Sequence, residues 1–108
     1  MKGYQITFFT QQDRRHRNQS LAHWLLEEAR QIGISGATLI AGAEGFGHDR
    51  KIRSSGFFEL TDQPIEVTMA ISGAEADRLF ARLLEEGVNV FYTKIPIEFG
   101  MTGETEEG

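Results

Sequence analysis

Polar and apolar residues alternate over the first positions of the chain. Tyr4, Ile6 and Phe8 fall on one side of an extended backbone, and Gln5, Thr7 and Phe9 on the other. This two-residue period predicts a first strand, ending at Gln11-Gln12-Asp13. From Leu21 the period lengthens. Leu21, Trp24, Leu25, Glu28, Ala29 and Ile32 recur at helical spacing, which predicts a helix with a mostly apolar stripe, Ser20 as its N-cap and Gly33 as its stop. Trp24 is read as core and His23 as surface. Ala37 to Ala41 is a run of small and branched apolar residues and predicts a short buried strand. Gly56 to Leu60 then returns toward the body of the domain, and Thr61-Asp62-Gln63-Pro64 makes a turn. Ile65, Val67, Met69 and Ile71 alternate with Glu66, Thr68, Ala70 and Ser72, the cleanest strand pattern in the chain. Ser72-Gly73-Ala74-Glu75 matches a capping box, and Ala76, Leu79, Phe80, Leu83 and Leu84 share one face of a second helix that Gly87 ends. Val88, Val90 and Tyr92 alternate as a fourth strand with Phe91 on its other side. Pro96 is expected to interrupt regular pairing, leaving Ile97 to Phe99 as a short edge segment.

The order strand, helix, strand, strand, helix, strand is that of an α+β, ferredoxin-like βαββαβ sandwich, with a four-stranded antiparallel sheet and two helices on one face. Residues 1–99 form the domain, and 100–108 form a glycine- and glutamate-rich tail expected to be mobile. The other sheet face, lined by Thr7, Phe9, Ile40, Thr68 and Ala70, is too apolar to stay wet and is a candidate subunit interface.

Composition narrows the classes. A chain of 108 residues makes one domain with a modest core, and such a domain gains from oligomerisation. There is no cysteine, so disulfides and thiolate zinc sites are excluded. Met1 to Thr10 lacks a charged segment followed by a long apolar core, which reads as cytoplasmic. No apolar run approaches the roughly 18 residues of a membrane span. A net charge of −5 argues against nucleic acid as a partner, and the open sheet offers no aromatic ladder on a basic face for RNA.

That net charge conceals an asymmetry. Arg14-Arg15-His16-Arg17 is the densest positive cluster, and taken alone it also reads as a solvated loop. Gly42, Gly45 and Gly47 open a loop that continues with His48, Asp49, Arg50, Lys51 and Arg53. The GxG there is not a dinucleotide fingerprint, since a charged, non-helical segment follows it. In a split βαβ unit the first two strands run parallel, so both loops emerge at one edge. Six of the eleven basic residues then share a rim, and a bound anion, helped by glycine N–H donors, is the simplest compensation. Catalysis finds little support: near the rim His16 and His48 are the only general-base candidates, beside Asp13 and Asp49, which read as local charge balance.

The Leu21 to Ile32 helix, the GATLIAGAEGFG segment from Gly36 to Gly47, the basic stretch and Asp62-Gln63-Pro64-Ile65-Glu66-Val67 together resemble the PII-like family of small trimeric signalling proteins (GlnB-like nitrogen regulators). The resemblance is to a branch long described as a domain of unknown function, and covers Lys2 to about Glu98. The resemblance implies a non-catalytic, cytoplasmic homotrimer. It implies that segment 45–56 corresponds to the T-loop, with a small anionic effector bound in intersubunit clefts beneath it. It further implies that this loop regulates a partner protein, a membrane transporter or a metabolic enzyme. Two features depart from PII. Glu85-Glu86-Gly87-Val88-Asn89 is short and acidic where PII has a glycine-rich loop with a lysine, and Phe99-Gly100-Met101 stands where PII has arginines. These departures favour AMP or ADP over a triphosphate, with or without bicarbonate. The implied ligand-binding residues are Gly45, Phe46, Gly47, His48, Arg50 and Arg53, with Arg14, Arg15 and Arg17 substituting for the lost contacts. The alternative is a metal-binding ferredoxin-like trimer that uses His16 and His48.

Overall fold

A computed structural model describes residues 1–42, 44–46, 52–54 and 63–103 of the chain. In chain order the elements are β1 (Lys2–Gln11), β2 (Arg15–His16), β3 (Gln19–Ser20), α1 (Leu21–Ile32), β4 (Ala37–Ala41), β5 (Glu44–Phe46), β6 (Ile52–Ser54), β7 (Pro64–Ile71), α2 (Gly73–Glu85) and β8 (Phe91–Glu98). A central sheet has the strand order β4-β7-β1-β8. Each neighbouring pair is antiparallel, so β1 and β4 run parallel on either side of β7. The helices α1 and α2 pack on one face. Two small hairpins, β2 with β3 and β5 with β6, complete the described chain.

The helix limits follow from local chemistry. The Ser20 hydroxyl accepts from the N–H of His23, and Gly33 takes up the left-handed conformation (φ 98°) that closes α1. Ser72 and Glu75 form the reciprocal capping box at the start of α2. At its end the Gly87 N–H donates to Leu84 O and the Val88 N–H to Leu83 O, a Schellman closure around Gly87 (φ 67°). The core lies between helices and sheet: Ile6, Phe8, Leu21, Leu25, Ile65, Val67, Ile71 and Leu79 are fully buried. Trp24 is buried with them, and His23 is exposed, as expected.

Four expectations need correction. Ala37–Ala41 forms the expected strand, but at the sheet edge, where Leu39 and Ile40 are exposed; in this topology the central positions belong to β1 and β7. Val88 belongs to the closure of α2, so the last strand starts only at Phe91. Pro96 does not interrupt it. Met1 and Phe99 exchange both backbone hydrogen bonds, so pairing alternates back along β8 and leaves Pro96, opposite Tyr4, with its nitrogen toward the outer edge. Leu84 points away from the core and is 83% exposed. The mobile tail expected at 100–108 lies, for 104–108, outside the described residues, as do Gly56 to Leu60 and Asp62.

The face of the sheet away from the helices carries Thr7, Phe9, Ile40, Thr68 and Ala70 as expected, joined by Phe91 and Ile95. Thr7 and Thr68 share a hydrogen bond across it at 3.1 Å. Phe91 is 70% and Ile95 52% exposed.

Candidate functional site

β1 and β4 end on either side of the start of β7. The N–H of Gln12 donates to Gln63 O at 2.9 Å and that of Gly42 to Pro64 O at 2.7 Å, so the two exits are two strand spacings, about 10 Å, apart. The chain therefore delivers the Arg14 to Arg17 segment and the glycine-rich segment to one end of the sheet, as the split βαβ order requires. Beyond β4 the β5–β6 ladder sets Gly45 directly opposite Arg53 and Phe46 opposite Ile52. The glycine-rich start of the segment and one of its cations are thus backbone neighbours. Gly47, His48, Arg50 and Lys51 lie outside the described residues.

The first basic cluster is more ordered than a solvated loop. Arg15 pairs with Ser20 and His16 with Gln19, and Arg17 (φ 50°) and Asn18 (φ 64°) both lie in the left-handed region, as a two-residue turn of type I′ demands. Arg15 Nη2 donates to Asn18 O at 2.6 Å across that turn. Arg14 Nη2 donates to Asn89 O, in the connection after α2.

Arg17 and His16 reach toward the end of α2. There the Glu86 carboxylate, its side chain 9% exposed, accepts from Arg17 through Nε and through Nη2 at 2.9 Å, and lies 2.9 Å from His16 Nε2. Arg82 Nη1 approaches it to 3.6 Å. Arg82 is itself held in a fork by Glu28 of α1, at 3.0 and 3.2 Å, and donates to Glu85 at 2.9 Å. Hydrogen bonding from Arg17, then from His16, holds the Glu86 carboxyl down to about 2. The same contact raises Arg17, and Glu28 followed by Glu85 raises Arg82, so both guanidinium groups are charged at any accessible pH. The His16 ring stands edge-on to Trp24, 4.6 Å between centroids. An open groove of about 590 Å3 runs beside this network, walled by Arg17, His23, Trp24, Glu28, Arg82 and Glu86 among others.

The sequence matches the DUF190 family model, described as "Uncharacterized ACR", over residues 3–94. The chain belongs to the DUF190 family. Solved structures extend the likeness. A protein of Thermus thermophilus described as PII-like and signalling aligns with a TM-score of 0.62 at 20% identity, over 89% of each chain. CPII, a nitrogen regulatory PII-like protein from Thiomonas intermedia K12 bound to ADP, AMP and bicarbonate, aligns with a TM-score of 0.58 at 17% identity, over 94% of this chain and 96% of that one. The same protein bound to ADP, AMP and acetate gives 0.57 at 18% identity, over 93% and 90%. No curated protein matches. This DUF190 chain therefore has the PII-like, ferredoxin-like α+β fold. Among the described residues no helix is long and apolar enough to cross a membrane. No group of three or more His, Cys, Asp or Glu residues gathers among them as a metal site would require, and His48 is outside them.

The sequence places Arg14, Arg15 and Arg17 at the same end of the sheet as the β4 exit, but does not foretell that Arg17 meets Glu86 beside Arg82 and Glu28. One signal was available. Glu28 occupies a position on the apolar stripe of α1, where a carboxylate must be buried and so must find a cation. Which cation it finds depended on how the two helices pack.

Proposed function

We propose that this DUF190 protein is a non-catalytic, cytoplasmic PII-like regulatory protein. It assembles as a homotrimer through the open sheet face. In the intersubunit clefts, beneath segment 45–56, it binds a small anionic effector, an adenine nucleotide such as AMP or ADP, with or without bicarbonate. The ordered segment then docks on a partner protein, a membrane transporter or a metabolic enzyme. The observation that carries this reading is the fold shared end to end with CPII, whose structures hold ADP, AMP and bicarbonate. Two features of this chain agree with it. The β4 exit leads into a glycine-containing ladder with Gly45 opposite Arg53, and a second cationic segment leaves the sheet at the same end. The proposed ligand contacts are Gly45, Phe46, Gly47, His48, Arg50 and Arg53, with Arg14, Arg15 and Arg17 on the neighbouring rim.

Calorimetric titration of the purified protein with AMP, ADP, ATP and cyclic AMP, each with and without bicarbonate, tests the reading. Saturable binding near three sites per trimer is expected, with AMP or ADP ahead of ATP. Arg53→Ala should weaken it by roughly 1.5 to 3 kcal/mol, the value of one charge-assisted contact. Absence of heat with every nucleotide would refute the effector assignment, and an unchanged affinity in Arg53→Ala would refute the placement of the site. A ligand can reorder the segment only by its difference in affinity for the ordered and unordered forms, so binding must also be reflected in protease protection of residues 45–56.

A further inference from the structure

The groups that surround Glu86 are those that hold a phosphate: a guanidinium presenting two nitrogens, an imidazole and a second guanidinium. A carboxylate at this point is otherwise badly placed. Glu86 is the C-cap of α2, the negative end of the helix dipole, where a cation is favoured. Its position is tolerable because Arg17, His16 and Arg82 converge on it. The backbone holds Glu86 independently of its side chain, through its N–H to Arg82 O and the Gly87 closure that follows, so the carboxylate can swing away without unwinding the helix. The cations would stay. Arg82 remains forked to Glu28, which is only 7% exposed, and Arg17 sits on a hairpin fixed by its own ladder. The adjoining groove gives a ligand room to approach, since Arg17, Arg82 and Glu86 all form part of its wall.

We propose that Arg17, Arg82 and His16 form a phosphate-group site whose occupant in the free chain is the Glu86 carboxylate, an intramolecular stand-in that a phosphate-bearing ligand displaces. The proposal rests on the anion-binding reading of the rim, with which it shares Arg17, and extends it to a pocket at the end of α2 whose residues lie outside the glycine-rich segment. Occupation by a ligand exchanges the direct clasp between α2 and the β2–β3 hairpin for one bridged by the ligand.

The test compares wild type with Glu86→Gln, using pyrophosphate, inorganic phosphate and ADP as probes at constant ionic strength, near pH 7. Calorimetry and the emission of Trp24, the single tryptophan, report binding, the latter because the His16 ring lies against it. Removing the competing charge should tighten pyrophosphate by about tenfold or more, and adding Arg17→Gln should abolish the gain. Should Glu86→Gln fail to fold, Glu86→Asp, which keeps the charge but shortens its reach, is expected to give a smaller gain with the same dependence on Arg17. The proposal is overturned if neither variant binds pyrophosphate more tightly than wild type, or if the gain survives loss of Arg17. A gain seen with ADP and not shared by pyrophosphate would overturn the assignment to the phosphate group. Combining Glu86→Gln with Arg53→Ala separates the two readings: nucleotide affinity unchanged by Arg53→Ala while the pyrophosphate gain persists refutes the glycine-rich site alone, and loss of that gain while nucleotide binding still depends on Arg53 refutes the Glu86 pocket alone.

Discussion

Gly3 shows how much a single position can carry without any mark in the sequence. A Cβ at Gly3 would lie 2.1 Å from Ile71 O and 2.8 Å from the ring of Phe99. The first of these is backbone of a central strand, which cannot move aside as a side chain can. Gly3→Ala should therefore destabilise the fold by roughly 1 to 3 kcal/mol, the usual range for overpacking. Urea unfolding would show a lower midpoint with unchanged slope, and a midpoint equal to wild type would mean that β1 and β7 separate more easily than their pairing suggests. Glu28 is the opposite case. Its place in an apolar stripe was visible in the sequence as an anomaly, and the structure explains it by the fork to Arg82, fifty-four positions away.

Among the elements, those governed by near neighbours were the legible ones. Both helices start and stop where Ser20, Gly33, Ser72 and Gly87 place the caps, because capping involves residues within a few positions of one another. The β2–β3 hairpin escaped notice because its turn puts an arginine, not a glycine, in a left-handed position, and Asn18 was its one local hint. The link between this hairpin and α2 through Glu86 has a pH signature. The folded-state pKa of Glu86, about 2, lies below the ordinary carboxylate value of about 4.3. Its contribution is thus complete above the unfolded value and is lost as pH falls toward 2. The stability difference between wild type and Glu86→Gln should shrink steadily between about pH 5 and pH 2. Denaturant midpoints measured at intervals across that range would reveal it, and parallel curves would show that the carboxylate gains nothing from Arg17 and His16.

For the whole molecule, the open sheet face is the unfinished part. Phe9 and Phe91 lie 5.6 Å apart by ring centroid on it, Ile95 faces Gln5 beside them, and no element of the described chain covers these side chains. The homotrimer proposed above would close this face. Ile95→Glu should then leave the monomer folded, since the side chain is half exposed and no part of the core, and should abolish association. Sedimentation would read the change from trimer to monomer, and a variant that still sedimented as a trimer would move the interface elsewhere, for instance to the exposed Leu84 on α2. The period-two and helical patterns, the caps and the order of elements were determined by the sequence itself, because each is settled by residues a few positions apart. The α+β plan follows from them. The tertiary structure alone decided that Ala37–Ala41 is an edge strand, that Pro96 can sit within a paired one, and that Arg17 commits its charge to Glu86. Those outcomes depend on which surfaces meet across the fold, and Arg17 and Glu86 meet from sixty-nine positions apart, a separation over which the local pattern of a sequence carries no record of partners.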